Sequence, residues 1–174
     1  MNKPVLLDNV THAGVRVKTG FAAEFGDSIN QVLVFPTEFV FIQREYPIFF
    51  RRDEKGGFQA VALLGLDKGE NLFLDEPGWN ARYVPAVQQR GPFLIGLHQG
   101  EGEGSEASEP MVHVDLHHPR VSVDEGEPVF LPHGGNSPYL EHASRMLQII
   151  YHGSDLAKPM FAAFEEAGLI ESLE

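Results

Sequence analysis

His113-Val114-Asp115-Leu116-His117, followed by His118, sets two imidazoles and a carboxylate at alternate positions. On a strand, alternate residues face the same way, and such a set could bind zinc, or iron with open coordination positions. His98 and His133 fall on neighbouring expected strands and could add ligands. Against this, same-face neighbours on a strand sit roughly 7 Å apart, so three of them rarely share one ion. The competing reading is a solvated polar face with Val114 and Leu116 turned inward, which the alternation supports equally.

A second cluster is Trp79, Asn80, Arg82 and Tyr83. Tryptophan, tyrosine and arginine are the usual anchors of partner surfaces, and an arginine can grip a carboxylate through two parallel hydrogen bonds. The competing reading has Trp79 plugging the core and Arg82 paired with Glu70 or Asp75. Arg44-Glu45-Tyr46-Pro47 could add a ligand contact through Arg44 or Glu45, or simply form an ion pair where a helix ends. Glu70-Asn71 and Glu127 sit in similar turns; Asn71 is kept as a binding candidate, although turn chemistry accounts for these residues too.

Nucleophilic and nucleotide chemistry have little support. None of the serines lies in a Gly-x-Ser-x-Gly elbow. Gly100–Gly104 contains Gly-x-Gly, but its glutamates would repel a phosphate. No cofactor is expected. The absence of cysteine removes disulfides, thiol nucleophiles and thiolate metal sites. Twenty-five acids against thirteen bases, a formal charge of −12, disfavour a nucleic-acid partner. The longest apolar stretch, Ala60–Leu66, is too short to span a bilayer, and the opening Met-Asn-Lys-Pro does not resemble a signal peptide. The expectation is a soluble, cytoplasmic single domain over 1-174.

These candidates need a scaffold. Val5–Leu7 and Val15–Lys18 read as short edge strands or extended arms. Gln31–Phe35 reads as a strand stopped by Pro36, and Thr37 as the N-cap of a helix from Glu38 to Glu45. Pro47 ends that helix. Ile48–Arg51, Phe58–Leu66 and Asn71–Asp75 then form an expected meander, with its first turn at Asp53–Gly57. Ala81–Gln89 reads as a second short helix, followed by strands at Phe93–His98, Met111–Leu116 and Val129–Leu131. Between the first two of these, Gly100–Pro110 is acidic, glycine-rich and without a large apolar residue, so it reads as a solvated loop.

Gly69–Gly78 laid on Gly126–Gly135 agrees at Gly69/Gly126, Glu70/Glu127, Phe73/Phe130, Leu74/Leu131 and Gly78/Gly135. This suggests an internal repeat, 36-78 and 79-135, of a helix-plus-three-strand unit. The competing reading is chance similarity between two glycine-flanked hairpins. From Ser137 the chain is helical: Leu140, Ala143, Leu147 and Ile150 form one apolar stripe. Gly153 is expected to end this helix and Pro159 to open another, giving a helical hairpin over 137-170, with Gly168 at its close. The expected fold is α+β, with a mostly antiparallel sheet covered by that hairpin.

Several stretches resemble the SapC family of bacterial proteins. They are Arg44-Glu45-Tyr46-Pro47-Ile48, Val61–Leu66, Gly69–Leu74, Trp79–Pro85 and Pro138-Tyr139-Leu140. The resemblance runs from about Val5 to Leu173, although members of that family usually extend further at the C-terminus. The family name derives from surface-layer-associated proteins, and family genes often lie near outer-membrane receptors and enzyme-like neighbours. What the resemblance implies is an accessory role in uptake or modification of peptides or glycans, with no reaction specified. The leading expectation is therefore an interaction protein with an unidentified protein partner. A small-ligand binder or enzyme acting on peptide or glycan derivatives, with or without a metal, is the alternative. A surface-layer component is the third. A homodimer is also open, because duplicated meanders leave sheet edges to be covered.

Overall fold

The computed structural model describes residues 3–98 and 109–172. Most of the acidic stretch read as a loop, 100–108, lies outside the described residues, and so does the side chain of His98. The chain opens with β1 (Val5–Leu6) and β2 (Arg16–Val17), then β3 (Gln31–Val34), α1 (Phe39–Ile42) and the hairpin β4 (Ile48–Arg52) with β5 (Phe58–Leu63). A small hairpin, β6 (Leu74–Asp75) with β7 (Gly78–Trp79), precedes α2 (Ala86–Gln89). A second long hairpin follows, β8 (Phe93–His98) with β9 (Glu109–Val114), and then β10 (Val121–Ser122) and β11 (Glu127–Pro128). The last element is α3 (Pro138–Glu166). The architecture is α+β, with small antiparallel sheets and one long helix.

Two three-stranded sheets dominate, in the orders β3-β5-β4 and β1-β9-β8. In both, a strand from earlier in the chain pairs with the return strand of a hairpin, and a helical turn stands just before that hairpin. The arrangement differs from the expected meander, however. The third strand of the first sheet is Gln31–Val34, whereas Asn71–Asp75 supplies only the two residues of β6. The segments matched by offset are both tight turns: Leu74 pairs with Trp79, and Phe130 bridges to Asn136. A third small sheet, β10-β2-β11, packs Val17 and Val121 with Phe93 and Val114.

The two helices expected before the hairpins are shorter than their patterns suggest. Residues Pro36–Glu38 form a 3-10 turn and α1 spans only Phe39–Ile42. Thr37 does not cap α1; its hydroxyl donates to the Ile149 carbonyl of α3 at 2.8 Å. Pro85 explains the late start of α2, since it disfavours helical geometry at Val84 and has no N–H to offer.

The expected C-terminal hairpin is a single helix of 29 residues. Ser137 caps it, its hydroxyl accepting from Leu140 N at 3.2 Å, and Pro138 occupies the first turn. Gly153 does not end the helix. It is buried where the helix crosses the turn before α1, and a β-carbon there would collide with Phe35 Cβ and lie within 2.5 Å of Thr37 Oγ1. Pro159 is accommodated inside α3, because the turn around it carries Ala157, Met160, Phe161 and Phe164 onto the first sheet. The helix closes as expected at Gly168, whose φ of 64° lets Leu169 N reach back to the Phe164 carbonyl at 2.9 Å.

The core has two parts, and α3 serves both. Leu140, Ala143 and Leu147 pack with Val15, Val17, Phe93, Val114 and Val129. Phe161 packs with Val32, Val34, Ile42, Tyr46, Ala60, Ala62 and Leu64. No helix among the described residues is long and apolar enough to cross a membrane.

Candidate functional site

The site is assembled around Glu38, which is completely buried just ahead of α1. A carboxylate so placed must be fully hydrogen-bonded. One oxygen accepts from Phe35 N at 3.2 Å; the other accepts from Tyr83 Oη at 2.8 Å and Ala86 N at 2.9 Å. Burial raises the pKa of Glu38, and the three donors pull against that rise. Glu38 thus ties the turn before α1 to the segment entering α2.

A second chain of bonds runs beside it. Trp79 Nε1 donates to Tyr46 Oη at 2.8 Å, and Tyr46 Oη donates to the Tyr83 carbonyl at 2.7 Å. Burial pushes the Tyr46 phenol up to about 12. Burial and the Glu38 carboxylate raise Tyr83 as well, so both phenols are protonated donors at neutral pH. Glu45, at the end of the α1 turn, accepts from Arg82 N at 2.8 Å and holds the loop before α2 against it.

On this base stands an open cleft of about 660 Å³ lined by Phe41, Arg44, Glu45, Arg82 and Tyr83. Phe41, 45% exposed, stacks on Tyr83 with ring centroids 5.2 Å apart and 21° between planes. Arg44 and Arg82 are exposed, and among the described residues neither guanidinium has a carboxylate within ion-pair distance. The cleft therefore offers two cationic forks, one carboxylate and an aromatic wall, a combination that can hold an acidic group attached to a flat or apolar body.

Four of the residues singled out in the sequence, Arg44, Glu45, Arg82 and Tyr83, meet in this cleft. The other three do not line it. Trp79 supports the site from beneath, edge-on to Phe21 at 5.6 Å. Asn80 is exposed and donates to Asp75 at 3.3 Å. Asn71 is buried in its turn, its amide donating to the Asp27 carbonyl and accepting from Phe73 N. The expected pairing of Arg82 with Glu70 or Asp75 is not formed. Glu70 accepts from Leu66 N and Asp67 N in its own turn.

The histidine cluster is not assembled. Strand β9 ends at Val114, so His113, Asp115 and His117 share no strand face. Asp115 instead caps a turn, accepting from His117 N at 3.0 Å. His113 lies across Gly96 on the neighbouring strand, and His133 is exposed in a turn. Among the described residues no three of His, Asp and Glu gather closely enough to hold a metal ion.

Two groups without an evident sequence signature matter here. Glu38 stands three residues after Phe35, the spacing at which an acid returns to bond the backbone ahead of a helix, and this was its one available signal. Asp27 and Arg120 form a buried ion pair at 2.7 Å, with side chains 3% and 4% exposed. Arg120 also donates to the Lys18 and Gly20 carbonyls and lies between the rings of Phe21 and Phe25. Asp27 accepts in addition from Ala22 N and Gln88 Nε2.

No curated protein and no solved structure matches this chain. A family model described as SapC matches residues 7–174, from just after β1 through the helix, with Glu38, the cleft and the buried ion pair all inside it. On that match, which takes in essentially the whole sequence, the chain belongs to the SapC family.

Proposed function

We propose that this protein is an accessory, interaction protein that captures an acidic segment of a protein partner in the cleft formed by Phe41, Arg44, Glu45, Arg82 and Tyr83. The observation that carries the reading is the pair of exposed arginines that have no carboxylate partner among the described residues, set beside a stacked aromatic wall in a chain of charge −12. In so acidic a molecule, guanidinium groups with no ion pair among the described residues are suited to an anion from outside. The hydroxyls near the cleft are committed to fold bonds, which favours binding over covalent chemistry. The biological setting we propose, from the family, is a bacterial system for uptake or modification of peptides or glycans.

The test is capture from a native lysate by tagged wild-type protein beside Arg44→Ala/Arg82→Ala. Both side chains are exposed, so the double variant should keep its melting temperature. A partner held by wild type, released by salt and lost in the double variant supports the reading. Equal capture by both proteins refutes it. The cleft volume also suits a small aromatic or peptidic carboxylate. In that case the double variant loses a dialysable ligand rather than a protein.

A further inference from the structure

A separate groove of about 460 Å³ lies between β3, β8 and α3. It is mostly apolar, and its wall is built by the fold rather than by loops. Along β3, Val32 and Val34 enter the core, so the alternation turns Leu33 outward, where it is 36% exposed. Strand β8 contributes Leu94 and Ile95, and α3 contributes Leu147, Ile150 and Tyr151. Strands β3 and β8 are each the edge of a sheet, so the groove follows the seam where the two sheets come under the helix.

Arg90 stands in the wall of this groove. One of its N–H groups bonds the Phe93 carbonyl, and a guanidinium carries five. Among the described residues it has no carboxylate within ion-pair distance, and burial alone acts on it, lowering its pKa. Asp155 also borders the groove, but it is exposed on α3 and does not pair with Arg90. A partly dehydrated cation without a counter-ion is costly unless an anion joins it. Here the space beside the cation is mostly apolar.

We propose that this groove binds an aliphatic carboxylate, its chain lying along Leu33, Leu94, Ile95 and Ile150 and its head group on Arg90. The apolar wall supplies area for a chain of methylenes, and Arg90 supplies the charge that distinguishes an acid from an alcohol of the same length. This site is distinct from the Arg44–Arg82 cleft and does not depend on it.

The test is calorimetric titration of the purified full chain with decanoate, decan-1-ol and acetate. Wild type should bind decanoate and should not bind acetate. Arg90→Gln should weaken decanoate by at least about tenfold and leave decan-1-ol within about twofold, the mark of a lost charge-assisted bond. Leu33→Glu, on the exposed rim, should abolish both and serves as the deciding variant if Arg90→Gln does not fold. Absence of decanoate binding to wild type overturns the proposal, as does equal binding by wild type and Leu33→Glu. A dimer that Leu33→Glu renders monomeric, with decanoate bound by neither form, also overturns it, because the groove is then covered by a second copy.

Discussion

Glu38 places a carboxyl group where charge is expensive, and its three donors limit that cost without removing it. Its folded pKa lies above the ordinary value of 4.5, so the native state holds its proton more tightly than the unfolded chain. The resulting stability is fully present below 4.5 and is lost as pH rises through the folded pKa. Glu38→Gln cannot titrate and turns an amide N–H toward donors, so it should cost about 1–3 kcal/mol. The wild-type advantage over Glu38→Gln should then shrink as pH climbs above 4.5, and urea unfolding of both proteins across that range measures it. A constant gap would mean that burial does not perturb Glu38. The Asp27–Arg120 pair makes a sharper case, since both side chains are almost fully enclosed. Asp27→Asn leaves Arg120 buried without its counter-charge and should cost about 3–5 kcal/mol in the same experiment. Nothing local in the sequence announces that pair, because Asp27 and Arg120 come from distant segments and meet only once the sheets are packed.

At the scale of elements, Gly153 shows why pattern alone misreads a helix end. A glycine followed six residues later by a proline looks like a stop and a restart. The helix continues because Gly153 is the contact point with the turn at Phe35 and Thr37, and Phe161 and Phe164 beyond it are needed in the core under the first sheet. Alanine favours an exposed helix over glycine by about 1 kcal/mol, but here the added methyl has no room. Gly153→Ala should therefore destabilise by about 1–3 kcal/mol, reversing the propensity. A rise in melting temperature would show that the crossing is looser than described. The same reasoning separates what was legible from what was not. The Asp53–Gly57 turn, the Ser137-Pro138 cap and the Gly168 close rest on neighbouring residues and could be read directly. The short helices, the partner of β5 and the dispersal of the histidines depend on long-range pairing, which periodicity does not report. Four of the cleft residues were recognisable by type, but the aromatic wall at Phe41 and the buried support of Trp79 emerge only when α1 meets the loop before α2.

For the molecule as a whole, the question is whether its two cores behave as one body. Their sheets are separate, and the net charge of −12 opposes compaction of both. Two links oppose separation. Helix α3 inserts Leu147 in one core and Phe161 in the other. Asp27, two residues before Ile29 of the Phe161 core, reaches Arg120, which adjoins Val121 of the other core. With a helix common to both cores, loss of one should remove the support of the other. Trp79 packs against the Phe161 core and is the one tryptophan, so its fluorescence reports that half alone. Leu147→Ala makes a cavity in the opposite half, where Leu147 is 3% exposed, and should cost about 2–4 kcal/mol. If the halves are coupled, the urea midpoint read from Trp79 falls by the full amount and coincides with the midpoint read by far-ultraviolet circular dichroism. If Trp79 keeps its wild-type midpoint while the dichroism signal splits in two, the halves unfold independently. The helix would then be a tether between them rather than a shared support.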